Sequence, residues 1–371
     1  MSKKKILTVV GTRPEFIKLS ETIKLIDKLY DHILVNTNQN FEYELNKIFF
    51  KDLKIRKPDY TFETKDKNAI EKISDNFIKI EKIIKAEKPD AMLILGDTNT
   101  GLVVYVAKRL KIPIFHIEAG NRCFDQRVPE EINRKVIDHL SDVNLVYSDI
   151  SRSYLIQENF PPQNIIKVGS PIKEIFEKNK IKINKSNILK KLKLKKNDYF
   201  LISFHREEHL DKQKKLSDFI HLISHLDKNF KSKIIISTHY KLKDRLRNFI
   251  NINKSNKIKF LKPFGFFDYS KLLINSRMVL SDSGTLNEES SVMGFNAINL
   301  RDTHERPEAD EEAVTVLTSL DINLISEIIK QKHYKKPNLV KDYDVNDFSL
   351  KVSKVIGGYI NKIERDVWKK Y

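Results

Sequence analysis

The sequence predicts an α/β protein of two Rossmann-like domains, each a doubly wound parallel sheet flanked by helices. Three observations point to that class. Short apolar runs alternate with amphipathic helical stretches, no hairpin turn signal joins successive runs, and the alternation occurs twice. A chain of 371 residues is also too long for one core.

In the first half, KILTVV (5–10), HILVNT (32–37), AMLILG (91–96), IPIFHI (112–117) and VNLVYS (143–148) read as short buried strands. PEFIKLSETIKLIDKLY and TGLVVYVAKRL carry the helical period between them. A Lys/Asn-rich stretch, KNKIKINKSNILKKLKLKKND, has a weak core pattern and places a boundary near residue 180. The expected domains are 1–180 and 190–345. Strands resume with YFLISFH (199–205), KIIIST (233–238), KIKFLK (257–262), RMVLSDSG (277–284) and NAINLR (296–301). The segment 346–371 reads as a helix that packs back on the first domain.

Net charge is +18, which raises the question of nucleic acid or membrane surfaces. The excess is lysine scattered over amphipathic helices and the linker, without an aromatic-interleaved basic stripe, so neither partner is expected. Arginine behaves differently: Arg13, Arg122, Arg127, Arg134, Arg206, Arg301 and Arg306 all fall in motif segments, which suits a small anionic ligand. No run approaches the ~20 apolar residues of a membrane span. The N-terminal MSKKKILTVVGTRPE lacks a cleavage site and reads as the first strand. A single cysteine, Cys123, excludes an internal disulfide framework and fits a reducing cytoplasm.

Ligands of doubly wound sheets bind beyond the C-terminal ends of strands. GTRPEFIK after the first strand combines a tight turn at Gly11, Pro14 in a helix's first turn, and Arg13 and Lys18, a setting that suits an anion. GDTNT puts Asp97 at a strand end. HIEAGNRCFDQRVPEEINRK supplies His116 and Glu118, then Glu130 and Glu131 as a helix begins. A lone carboxylate at a helix N-terminus is usually a cap or dipole partner, a role open to Glu131, but three carboxylates at one sheet edge are harder to dismiss. An ion-pair network with Arg122, Arg127 and Arg134 is the competing account. In the second half, SFHREEHLD carries His205 and Arg206, and STHY carries His239. SDSGTLNEESSVMG follows with Asp282, then Ser283, Gly284 and Thr285 in a turn, then Glu288 and Glu289. Hydroxyls and N–H groups at such a helix start form a phosphate cradle. RDTHERPE, after what reads as the last strand, adds His304 and Arg306. There is no GxGxxG, no Walker motif, no zinc spacing and no G-x-S-x-G elbow. A site with no metal and no cofactor, built from carboxylates, histidine and phosphate-binding arginines, is what the residues leave. Nucleotide-sugar chemistry fits it.

GTRPEFIK, GDTNT, HIEAGNR, PEEINR, HREE, SDSGTLNEE and RDTHERPE, in that order, resemble the non-hydrolysing UDP-N-acetylglucosamine 2-epimerase family over about residues 5 to 310. The resemblance implies a glycosyltransferase-B-like fold, a UDP-sugar substrate, UDP as a bound partner, and a homodimer. It implies catalytic roles for Asp97, Glu118, Glu130 and His205. Substrate binding would fall to Arg13, Lys18, Arg122, Arg127, His239, Ser283, Gly284, Thr285, Glu289 and Arg306. HIEAGNRCFDQRVPEEINRK, with PFGFFDY at 263–269, resembles one branch more closely, the enzymes that convert UDP-2-acetamido-2,6-dideoxy-L-talose to UDP-N-acetyl-L-fucosamine for capsule or O-antigen. The wider family usually has HVEAGLRT there. It also usually has a Gln-His pair near the second strand where NTNQNFEYE places Asn40, which argues against activation by substrate. The alternatives are a UDP-GlcNAc/UDP-ManNAc epimerase and, in another class, a glycosyltransferase of the same fold.

Overall fold

The computed structural model describes residues 3–39, 49–63, 68–204, 213–237, 255–331 and 336–370. The chain forms two compact units, Met1–Ile175 with Asp342–Tyr371, and Phe176–Lys341.

The first unit is a parallel sheet in the order β3-β2-β1-β4-β5-β6-β7. Its strands are β1 (Lys5–Val10), β2 (Asp31–Asn36), β3 (Tyr60–Thr61), β4 (Ala91–Leu95), β5 (Ile114–Ala119), β6 (Val143–Val146) and β7 (Ile165–Lys167). Helices α1 (Arg13–Leu29), α2 (Ala69–Glu87), α3 (Val104–Arg109), α4 (Pro129–Leu140) and α5 (Asp149–Gln157) make the crossovers. Strand order reverses between β1 and β4, the switch point where open α/β sheets leave a crevice. The central strands are apolar on both faces because helices cover both, and Leu7, Val9, Met92 and Ile94 pack with Ile80, Ile84 and Ile137.

The second unit repeats the plan. Its sheet runs β10-β9-β8-β11-β12-β13, all parallel, with the reversal between β8 and β11. The strands are β8 (Tyr199–Ser203), β9 (Lys233–Ser237), β10 (Ile258–Leu261), β11 (Met278–Ser281), β12 (Ala297–Asn299) and β13 (Thr315–Leu317). Helix α6 (Ile172–Lys185) crosses the division between the units, and α7 (Ile188–Leu192) follows it. Helices α8 (Gln213–Asn229), α9 (Phe266–Asn275), α10 (Leu286–Met293), α11 (Pro307–Glu311) and α12 (Ile322–Lys330) complete the unit. Phe204 and Phe219 stack in its core, with ring centroids 4.2 Å apart.

The expected fold class is the one observed, with three additions. β3, β7 and β13 are edge strands of two or three residues that no apolar run announces, since each keeps only one fully covered side chain or none. NAINLR therefore does not end the second sheet; β13 does.

The last helix, α13 (Phe348–Asp366), belongs to the first unit. Its start is capped by the buried Glu174 carboxylate, which accepts from the Ser349 N–H at 2.8 Å and the Ser349 hydroxyl at 2.6 Å. Tyr30 donates from α1's C-terminal end to the Ser353 carbonyl at 2.9 Å.

Gly120, just past β5, has φ +76°, and a Cβ there would lie 2.4 Å from the Ser151 carbonyl oxygen. Gly120→Ala should therefore destabilise the protein by about 2–3 kcal/mol. The measurement is the denaturant midpoint, which should fall without a change in m.

Candidate functional site

In the first unit the C-terminal ends of β1, β4 and β5 place polar groups side by side. β5 bulges between Ile117 and Ala119, and Glu118 at the bulge has φ +71°. A left-handed glutamate is strained, and such strain persists where the surroundings over-determine the geometry. Here they do. Glu118 Oε2 accepts from Lys18 Nζ at 2.7 Å and from the Tyr147 hydroxyl at 3.2 Å. Lys18 is 4% exposed and also lies 5.5 Å from the Tyr147 ring centre. Tyr147 is buried edge-on against Phe348 of α13, at 6.2 Å between centroids.

Asp97, at the end of β4, meets Arg134 in the second turn of α4. The guanidinium donates to Asp97 Oδ2 from Nε at 3.0 Å and Nη2 at 2.6 Å, and from Nη1 to Glu131 at 2.7 Å. Asn133 donates to the Asp97 carbonyl and to Asn99 Oδ1, both at 3.0 Å. Glu131 is fully buried. Its carboxylate accepts from the Cys123 and Phe124 N–H groups at 3.0 and 3.2 Å, so it braces the chain segment 121–128. Glu130, the residue before it, is half-buried in the first turn of α4, where the helix dipole favours a carboxylate.

Arg122 is 2% exposed and forks between Glu158 (2.6 and 2.7 Å) and Asp138 (2.7 Å). Asp138 also faces His116 Nδ1 at 2.8 Å. Burial works to raise the Asp138 carboxyl, but the His116 hydrogen bond and the His116 and Arg122 charges hold it below the ordinary range. Arg127 is exposed and doubly bonded to Asp125, at 2.8 and 2.7 Å. The competing ion-pair account is thus realised in Arg122 and Arg134, and it coexists with Asp97 and Glu118 at the sheet edge.

Sequence reasoning missed Glu15. It stands in the first turn of α1, 3% exposed, with Oε2 accepting from the Gly11 and Thr12 N–H groups at 2.6 and 3.1 Å. Oε1 accepts from the Thr98 hydroxyl at 2.7 Å, next to Asp97. Burial pushes its carboxyl up from 4.5 to about 7, against these hydrogen bonds. The available signal was the acidic residue three positions after Thr12, a capping-box spacing.

In the second unit, the turn after β11 carries Ser283, Gly284 and Thr285. The Ser283 and Thr285 hydroxyls are 3.1 Å apart, and the Ser283 N–H donates to Ser281 Oγ at 3.0 Å. Glu289 is half-buried in the first turn of α10. Arg306, 1% exposed, donates to the fully buried Glu288 from Nε at 3.2 Å and Nη2 at 2.9 Å. His304 Nδ1 accepts from the Arg306 N–H at 3.1 Å, which leaves Nε2–H to donate to Asp310 at 3.0 Å. A separate cavity bordered by Lys196, Arg277 and Gly294 lies at the N-terminal ends of β8 and β11, the opposite edge from this turn. His205, Arg206, His239 and Asn40 lie outside the described residues. Among those described, no cluster of three or more His, Cys, Asp or Glu side chains is arranged to hold a metal ion, and no helix is long and apolar enough to cross a membrane.

A family model described as UDP-N-acetylglucosamine 2-epimerase matches residues 25–356. The structure of UDP-N-acetylglucosamine 2-epimerase from Rickettsia bellii is 42% identical, covers 99% of this chain and 100% of its own, and superposes with a TM-score of 0.92. A Methanocaldococcus jannaschii UDP-GlcNAc 2-epimerase, in complex with UDP-GlcNAc and UDP, is 31% identical with coverage of 95% and 99% and a TM-score of 0.88. The UDP-2,3-diacetamido-2,3-dideoxy-D-glucuronate 2-epimerase of Pseudomonas aeruginosa is 30% identical over 330 residues, 87% of this chain and 90% of its own. Fold and neighbours together define a two-unit α/β enzyme with a glycosyltransferase-B-like fold. The chain belongs to the UDP-N-acetylglucosamine 2-epimerase family.

Glu15 gives a pH prediction. Its value in the folded protein lies above its ordinary 4.5, so its stabilising contribution is complete below that and is lost as pH rises through about 7. Between about pH 5 and 8 the wild type should lose roughly 2–3 kcal/mol relative to Glu15→Gln. Thermal melts of both proteins across that range check it.

Proposed function

We propose that this enzyme inverts C2 of a UDP-N-acetyl amino sugar by eliminating UDP and adding it back. The observation that carries the reading is the set of carboxylates at one sheet edge. Asp97 and Glu118 are each anchored by a buried cation, and Glu130 starts the adjacent helix. A C2–H beside an acetamido group is weakly acidic, so a carboxylate must take the proton while the C1–O bond to UDP breaks. The products are a 2-acetamidoglycal and UDP. A second carboxylic acid then protonates C2 from the opposite face as the UDP oxygen re-forms the bond to C1. Arg13 and Lys18 stabilise the departing diphosphate; the Ser283–Gly284–Thr285 turn of the second unit is by itself a phosphate cradle. Glu289 holds the ribose hydroxyls, His239 contacts the nucleotide, and His205 contacts the pyrophosphate or serves as acid for the leaving oxygen, with Arg306 steadying that end through Glu288.

The substrate best supported by the sequence is UDP-2-acetamido-2,6-dideoxy-L-talose, with UDP-N-acetyl-L-fucosamine as product for capsule or O-antigen in the cytoplasm. Support comes from the 121–128 segment, where Phe124 stands 68% exposed at φ +55° and packs edge-on against Tyr154 at 5.2 Å. Arg122 and Arg127 shape this segment, and its exposed ring reads the sugar's C4 and C6 substituents. A second reading, UDP-GlcNAc to UDP-ManNAc, is favoured by the activity for which the Rickettsia bellii relative is named. Incubation with each nucleotide sugar, followed by NMR, separates the two: inversion of UDP-GlcNAc alone would overturn the deoxy-sugar reading. Transfer to an acceptor without an epimer would mark a glycosyltransferase instead.

A homodimer is supported by apolar side chains left exposed on neighbouring helices, Ile78 of α2, Tyr105 of α3, and Ile132 and Val136 of α4. Light scattering should give twice the mass of the 43.5 kDa chain.

Asp97→Asn, Glu118→Gln and Glu130→Gln should each lower kcat at least ~100-fold while UDP still binds. Turnover of the wild type in D₂O should place deuterium at C2 of the product, and product with only protium there would sink the elimination route.

A further inference from the structure

Glu15 is a buried carboxyl that the reaction above does not use, and its surroundings are unusual. Among the described residues its donors are the Gly11 and Thr12 N–H groups and the Thr98 hydroxyl. None is charged. The cations and anions on the elements around it have partners of their own. On α1, Lys18 is paired with Glu118, and the Arg13 guanidinium lies 4.9 Å from the centre of the Phe49 ring. On the loop after β4, Asp97 is paired with Arg134. A carboxylate taken out of water without a countercharge is held only by its hydrogen bonds, so its ionisation is finely balanced. That agrees with the rise of its carboxyl to about 7.

The position matters as much as the balance. The turn between β1 and α1 is locked to the loop after β4 at two places. One is Glu15 to Thr98; the other is Gly11, where a Cβ would lie 2.1 Å from Thr37 Oγ1 and 2.2 Å from Thr100 Oγ1. The ionised carboxylate thus sits immediately behind the turn that presents Arg13 and Lys18, and it consumes two backbone donors there. An arriving diphosphate would face a negative charge across a few ångströms of low-dielectric protein. Protonation removes that charge and keeps the bridge, because the Thr98 hydroxyl can turn and accept.

We propose that Glu15 is a positioning residue for the nucleotide, joining the Arg13–Lys18 turn to the Asp97 loop and taking up a proton from solvent when a diphosphate binds at that turn. The inference rests on the assignment of Arg13 and Lys18 to the diphosphate.

The experiment is calorimetric titration of UDP into the full chain at about pH 7.5, in two buffers of contrasting ionisation heat, for wild type and Glu15→Gln. The substituted side chain cannot ionise, but its amide oxygen can still accept from both backbone N–H groups. Wild type should take up more protons per UDP than the variant, by up to about one. Wild-type affinity should also fall relative to the variant's by up to ~10-fold per pH unit above neutrality. Equal uptake and parallel pH dependence in the two proteins would overturn the proposal. Should the variant not fold, the wild-type infrared difference spectrum decides: UDP should convert one carboxylate to a carboxylic acid, and absence of that band refutes the coupling. No binding of UDP at all would instead overturn the nucleotide reading, a result distinct from binding without proton uptake.

Discussion

Arg134 gives two of its nitrogens to Asp97 and a third to Glu131, and it does so almost wholly buried. Much of the arrangement at the first unit's sheet edge depends on that fork. Asp97 ends a strand, Glu131 begins a helix, and the two carboxylates would repel one another if no cation lay between them. Removing one partner of such a buried pair costs about 3–5 kcal/mol, because the other charge is left without solvent or countercharge. The fork therefore fixes the loop after β4 relative to α4. Through Glu131 it also fixes the backbone of Cys123 and Phe124, which no regular element supports.

The Lys18–Glu118 pair is a smaller version of the same device. Glu118 is held in a left-handed conformation at a bulge, which costs of order 1–3 kcal/mol. The ammonium of Lys18 and the hydroxyl of Tyr147 hold its carboxylate there. Tyr147 in turn leans on Phe348, so a helix some 200 residues further along the chain supports the site from behind. Strain, ion pair and distant packing form one arrangement, and a preorganised carboxylate is its result.

The two sheets share one logic, since each has its reversal of strand order beside its first strand and gathers polar residues at the C-terminal edge. They differ in charge. The first unit presents carboxylates with their cations; the second presents hydroxyls and backbone N–H groups in a turn, with Glu288 and Arg306 buried beneath.

Much of this was legible in the sequence. Apolar alternation specified parallel sheets because buried strands and amphipathic helices leave periods that need no tertiary information. The residues at strand ends followed, since Asp97 and Glu118 stand where apolar runs stop. The edge strands β3, β7 and β13 were not legible, because two or three half-covered residues leave no pattern. Nor could the sequence rank the charges. Arg122 and Arg127 stand five residues apart, yet one is buried between two carboxylates and the other is exposed on its own Asp125. Glu15 carries only a capping-box spacing in the sequence, and folding buries it beside Thr98, 83 positions away, with no cation among its described partners. Pattern and local geometry are written along the chain; burial and the identity of a charge's partner arise only when distant segments meet, and those two quantities decide what a carboxylate can do.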